Sequence, residues 1–159
     1  MRVRVELHPA LKQWIEERFA RYPSERSLVV PALLEAQKYY SYVSPEVEIG
    51  LAELLGMPPQ EVHSVASFYS MLHQHPVGRH IIQVCHNVSC YLRGAEDVIA
   101  HLEEVLGIKV GETTEDGRFT LVTVECLAAC GQAPVMMVDE KLVEQVTPER
   151  AEAALAEFD

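Results

Sequence analysis

The sequence predicts an α+β chain with α/β character in its second half. An N-terminal four-helix segment is followed by a β-α-β-β-β-α domain. Three observations predict it. Apolar residues recur at three- and four-residue spacing across the first half. Beyond "HQHPVGRH" the period changes, and short β-rich runs bracket one long helical run. Capping and turn residues stand at the joints. The boundary at that stretch divides a helical domain, residues 1–76, from a second domain, residues 77–159. A chain of 159 residues suits one domain of ordinary size or two small units packed together.

In the first half, Leu11, Ile15, Phe19 and Tyr22 lie at helical spacing. A second helix, roughly 27 to 42, carries Val30, Leu33, Leu34 and Gln37 inward, with Pro31 tolerable in its first turn. The third opens at Ser44-Pro45, a cap followed by proline at the first helical position. It buries Val47, Leu51, Leu54 and Leu55 and stops at Gly56. The fourth opens at Pro58-Pro59 and buries Val62, Val65, Ala66 and Tyr69. Short connections make these a bundle or open helical array.

In the second half, "RHIIQVC" reads as a buried strand ending at Cys85. One helix then presents Leu92, Ala95, Ile99, Leu102 and Leu106 on one face, with Gly107 after it. Gly117 precedes a second strand, "RFTLVTVE", which ends at Cys126. "PVMMV" and "LVEQV" flank the turn residues Asp139, Glu140 and Lys141 as a hairpin. Thr147-Pro148-Glu149 caps a last helix through Leu155. This is the element order of the thioredoxin core.

Composition narrows the function. At 48% hydrophobic and 23% charged, the chain can bury a core. A net charge of -11 argues against nucleic acid, which needs a clustered basic face, and against anionic membrane surfaces. The N-terminus lacks the apolar run of a secretory signal. The longest near-apolar stretch, "SLVVPALLEA", is too short to span a bilayer. The expectation is a soluble cytoplasmic protein, where four cysteines read as metal ligands or redox groups before disulfides.

Those cysteines are Cys85, Cys90, Cys126 and Cys130, in "VCHNVSCYLRGA" and "VECLAACGQAPV". A β-α-β connection makes its two strands parallel, so both end at one edge of the sheet. The two pairs should meet there, although 41 positions separate Cys85 from Cys126. A redox dithiol prefers C-x-x-C at a helix start, which C-x4-C and C-x3-C do not supply. Four thiolates suit tetrahedral zinc, though the Cys85–Cys90 spacing fits less comfortably than Cys126–Cys130. A [2Fe-2S] cluster takes two thiolates on each iron, and small residues such as Ser89, Ala128, Ala129, Gly131 and Ala133 admit backbone N–H groups to its sulfurs. The chemistry favours iron–sulfur over zinc and leaves both open.

At these residues a resemblance enters. "GRHIIQVCHNVSCYLRGAEDV", "VECLAACGQAPVMMV" and "SVASFYSML" resemble the thioredoxin-like [2Fe-2S] ferredoxin subunits of bacterial NADH:quinone oxidoreductase (respiratory complex I). The similarity covers nearly the whole chain. Its specific part is C-x4-C, a gap of 35, then C-x3-C followed by Gly-x-Ala-Pro. "ASFY", Ala66 to Tyr69, matches a motif of the family's fourth helix. The resemblance implies that Cys85, Cys90, Cys126 and Cys130 hold one [2Fe-2S] cluster. It implies a partner flavoprotein subunit that binds FMN and NADH and exchanges an electron with the cluster. It implies a subunit without a complete active site, attached through the complex to the cytoplasmic side of the inner membrane. The same fold serves NAD-linked formate dehydrogenases and hydrogenases, and a zinc-stabilised interaction module is the alternative of a different class. The family usually carries Gly where this chain has Ala128. A methyl group there disfavours positive φ, so the expectation is a surviving cluster with a shifted potential.

Other features read more plainly. His73, His75 and His80 fit a surface linker, and His86 fits a solvent-facing neighbour of Cys85. Tyr39, Tyr40, Phe68 and Tyr69 fit core or interface, and acidic runs such as "HLEEVLG" fit solvated faces. "GLAELLGMPP" lacks the spacing of a phosphate-binding loop, and no nucleophile–base pair stands out.

Overall fold

Proline opens three of the four described helices of the first half. The structure, a computed structural model, describes residues 6–158. The chain divides into two compact units between Pro76 and Val77. In the first, helix α1 (Pro9–Glu16) begins on proline, and His8 Nδ1 accepts the Ala10 N–H at 3.3 Å. A 3-10 turn, Glu25–Leu28, leads into α2 (Val29–Tyr40). Helix α3 (Pro45–Leu54) is capped by Ser44 Oγ, which accepts the Val47 N–H. Gly56 follows it at φ +63°, the left-handed conformation that ends many helices. Pro58 precedes α4 (Pro59–Phe68).

The core of this unit is built on Leu11, Ile15, Leu28, Leu33, Leu51 and Val62, all fully buried. Burying each such side chain contributes roughly 1.5–3 kcal/mol. One carboxylate goes inside with them. Glu48 on α3 meets His63 Nδ1 at 2.9 Å and accepts Gln74 Nε2 at 3.1 Å, so burial does not leave it without partners.

Several expectations for this half need correction. The first helix stops at Glu16, and Phe19 lies in a separate 3-10 turn, Phe19–Arg21. Tyr22 is extended because Pro23 follows it, and the ring of a proline pushes the preceding residue out of the helical region. On α2 the inward stripe is Val29, Ala32, Leu33 and Ala36, while Leu34 is exposed. Helix α4 ends at Phe68, and Tyr69 leaves it in an extended conformation and exposed.

The second unit holds a four-stranded sheet in the order β2-β1-β3-β4. Strand β1 is His80–Cys85, β2 Phe119–Val124, β3 Met136–Val138 and β4 Lys141–Val143. β1 and β2 are parallel, with His80 opposite Phe119 and Cys85 opposite Val124. Parallel strands need a long crossover. It is supplied by α5 (Val88–Leu92) and α6 (Ala95–Leu106). β3 runs antiparallel to both β1 and β4. Helix α7 (Pro148–Leu155) starts where Thr147 Oγ1 accepts the Arg150 N–H. Ile82, Val84, Leu121, Met136 and Val138 of the sheet share one core with Val98 and Leu102 of α6 and Ala151 and Leu155 of α7.

Here the expected single helix is two. Gly94, at φ +94°, breaks the helical path between α5 and α6, and Leu92 is 76% exposed instead of lying on the buried face. The second strand ends at Val124, two residues before Cys126. Lys141 already pairs in β4, opposite Val138, so the hairpin turn is shorter than expected.

Gly78 guards the entry to β1. A Cβ there would meet the Phe119 carbonyl carbon at 2.8 Å and the Arg118 oxygen at 2.9 Å, both backbone atoms. Its N–H donates to the Thr120 hydroxyl at 2.6 Å. Gly78→Ala is therefore expected to lower unfolding stability by about 1–3 kcal/mol. Urea denaturation measures it, and an unchanged midpoint would contradict this close approach.

Candidate metal centre

The parallel pairing decides where the cysteines go. β1 carries Cys85 to its last position, level with Val124. The Cys85 N–H donates to the Val135 carbonyl at 3.1 Å, and the His86 N–H donates to Val124 at 3.2 Å. These bonds hold the segment before β3 and the end of β2 on either side of Cys85. Asn87 then starts α5, which carries Cys90 back over the sheet end. Beyond β2 the chain turns through Cys126, and Cys130 opens a 3-10 turn, Cys130–Gln132.

Cys85 and Cys90, 2% and 1% exposed, form one small apolar cluster with Ala95, Ala133 and Val135. Val124, Leu127 and Ala129 pack against it, and the last two belong to the loop of the second cysteine pair. The Cys85 thiol lies 3.8 Å from the Glu125 carbonyl, one residue before Cys126. Burial pushes the Cys90 thiol up, a hydrogen bond with Cys85 adds to it, and the nearness of Cys130 works in the same direction. A bond with the Val135 backbone opposes the rise. Cys90 thus lies beside Cys85 and within electrostatic reach of Cys130. Cys126 and Cys130 face solvent.

All four cysteines are free thiols, so disulfides take no part in this arrangement. The donor set is soft and entirely sulfur, which suits zinc or iron–sulfur and disfavours magnesium or calcium. Tetrahedral zinc needs four donors about one point. A two-iron cluster divides them between two metals, two thiolates to each, and so fits a buried pair and an exposed pair at one sheet end.

His86 pairs with the Glu125 carboxylate, Nε2 to Oε1 3.3 Å, as a partly exposed neighbour of the site. His80 is held by Asp139, Nδ1 to Oδ2 2.7 Å, and packs on Phe119 and Phe158. Ala128 adopts positive φ although its methyl group disfavours it. It sits at φ +57°, and its N–H donates to Cys126 Sγ at 3.2 Å. Ala95 and Val135 are wall residues that the cysteine spacing does not reveal. They reach the site through the α5–α6 break and the β1–β3 pairing, which are tertiary facts.

The thioredoxin-like [2Fe-2S] ferredoxin family model matches residues 15–159. The chain is 45% identical over 148 residues to a NADH-quinone oxidoreductase subunit of Rhizobium meliloti, covering 93% of this chain and 88% of the relative. It is 45% identical over 148 residues to NADH-quinone oxidoreductase subunit 2 of Thermus thermophilus, covering 91% and 82%. It is 40% identical over 144 residues to the corresponding NADH-quinone oxidoreductase subunit of Escherichia coli, covering 91% and 87%. A crystal structure of an NAD+-reducing [NiFe]-hydrogenase in the air-oxidised state matches with a TM-score of 0.73 at 24% identity, over 82% of this chain and 22% of that one. At that identity the likeness is one of fold.

The division into buried and exposed thiols has a measurable consequence. In the reduced, metal-free chain, Cys126 and Cys130 are expected to alkylate at least ~10-fold faster than Cys85 and Cys90, because reaction needs an accessible thiolate. Peptide mapping after timed iodoacetamide treatment reads the order. Equal rates at all four would contradict the buried pair.

Proposed function

The chain belongs to the thioredoxin-like [2Fe-2S] ferredoxin family, and on that premise we propose that it is the electron-transfer subunit of an NADH:quinone oxidoreductase. Cys85, Cys90, Cys126 and Cys130 are the proposed ligands, one pair to each iron. The observation that carries this is the approach of both pairs at one end of the β1–β2 sheet, with Cys90 beside Cys85 and within electrostatic reach of Cys130. When bound, the cluster supplies one-electron carriage. The protein's own residues do the rest. Ala95, Ala133 and Val135 exclude water from the inner pair, and the strand ends fix the thiols. Holding metal requires the Cys90 thiol to give up its proton, which burial resists until positive charge arrives.

The chain is a non-autonomous part of an enzyme. Its relatives are named as subunits of NADH-quinone oxidoreductase. The proposed partner is the flavoprotein subunit of the complex, which binds FMN and NADH. Among the described residues, no helix is long and apolar enough to cross a membrane. Attachment through the complex, on the cytoplasmic side of the inner membrane, is the proposed location. The corresponding subunit of an NAD-reducing hydrogenase is the second reading, supported by the fold likeness. The 40–45% identities favour the quinone oxidoreductase.

Anaerobic purification followed by metal and acid-labile sulfide analysis tests the ligand assignment. The expected content is about two irons and two sulfides per chain. Replacing any one of the four cysteines by Ala is expected to remove most of both. A colourless protein with about one zinc per chain would overturn the proposal.

A further inference from the structure

The two cysteine pairs offer unequal surroundings to negative charge. Cys85 and Cys90 are buried among Ala95, Ala133 and Val135, whose side chains carry no polar atom. Cys126 and Cys130 are exposed. A charge placed among apolar side chains loses its hydration, whereas a charge at the surface keeps water around it.

The polar neighbours differ as well. Cys85 Sγ lies 3.8 Å from the Glu125 carbonyl oxygen. A thiol can donate to that oxygen, but a ligand thiolate has no proton to give, and the two atoms then repel. Cys126 Sγ instead accepts the Ala128 N–H at 3.2 Å, a contact that favours negative charge on the sulfur. Burial pushes the Cys90 thiol up, and a bond with the Val135 backbone offsets this only in part. The inner pair thus resists negative charge more than the outer pair does.

Reduction of a two-iron centre by one electron turns one ferric iron ferrous. No bond is made or broken and no proton moves in that step, so the centre gains one negative charge. With one cysteine pair to each iron, the protein decides which iron takes it. Resting on the ligand assignment made above, we propose that Cys126 and Cys130 hold the iron that becomes ferrous, and that Cys85 and Cys90 hold the iron that stays ferric. The apolar wall around the inner pair makes the selection, and the added charge rests on the solvent side of the site.

Serine substitution of single ligands in the full, cluster-loaded chain tests this, with dithionite as the reductant. A hard oxygen donor favours ferric over ferrous iron. Its effect on the midpoint potential is therefore larger on the iron that is reduced. Cys126→Ser and Cys130→Ser are expected to shift the equilibrium about ten-fold further toward the oxidised state than Cys85→Ser and Cys90→Ser, ~59 mV lower for one electron. Equal shifts, or the opposite order, would overturn the proposal. Where a variant does not assemble a cluster, proton NMR of the reduced wild type decides. The two iron spins oppose one another and the larger ferric spin sets the net direction. Cysteine β-protons on ferric iron are then shifted furthest and move back on warming, while those on ferrous iron are shifted less and move outward on warming. Nuclear Overhauser contacts with Ala95 and Val135 mark the inner pair, and contacts with Ala128 and Gly131 mark the outer pair. The ferric pattern is expected on Cys85 and Cys90. The reverse assignment, or one pattern on all four cysteines, would overturn the proposal. Wild-type chain with zinc in place of iron and sulfide would remove the ligand assignment and this proposal together, whereas a contrary result from iron-loaded chain removes this proposal alone.

Discussion

The parallel pairing of β1 with β2 is the constraint on which the rest of the second unit depends. It sets Cys85 opposite Val124, so two segments far apart in sequence finish at the same edge of one sheet. An antiparallel pairing would send the cysteine loops to opposite ends. The pairing also dictates the intervening segment, because a parallel return requires a crossover, and α5 and α6 supply it. α5 uses that crossover to bring Cys90 back to the strand ends. The core beneath, Ile82, Leu102 and Leu121 among others, fixes the register, since a one-residue slip would turn every inward side chain outward.

The site built on this edge is graded from dry to wet. Cys85 and Cys90 lie among small apolar side chains, whereas Cys126 and Cys130 lie on a loop open to solvent. The gradient suits a redox centre that is insulated on the side of its own fold and reachable from the side of a partner. The same loop carries a strained residue, Ala128, whose N–H donates to Cys126 Sγ. Strain held at a functional loop by a well-anchored frame is a common physical arrangement. Here the frame is β2 on one side and the Gln132–Gln145 contacts on the other.

Much of this was legible in the sequence because local rules and fold agree over long stretches. Ser44-Pro45 and Thr147-Pro148 mark helix starts that the structure keeps. The alternation of periods gave the order of strands and helices. The convergence of the cysteine pairs followed from the handed β-α-β connection, although Cys126 lies two residues beyond its strand. What failed was local interruption. The apolar spacing runs smoothly from Leu92 to Leu106, and periodicity cannot register that Gly94 takes φ +94° and turns Leu92 outward. Tyr22 illustrates a rule outweighed by its neighbour, since Pro23 removes it from a helix to which its spacing assigns it. Ala128 shows the converse: tertiary anchoring holds a conformation that the residue itself disfavours.

The central claim is that the four cysteines of one sheet end hold one two-iron centre. Electron paramagnetic resonance before and after dithionite reduction of the anaerobically purified protein tests it most directly. The account predicts silence when oxidised and, on reduction, a signal integrating to about one spin per two irons. Silence in both states from a protein loaded with zinc would contradict it, and would leave the resemblance describing the fold and not the function.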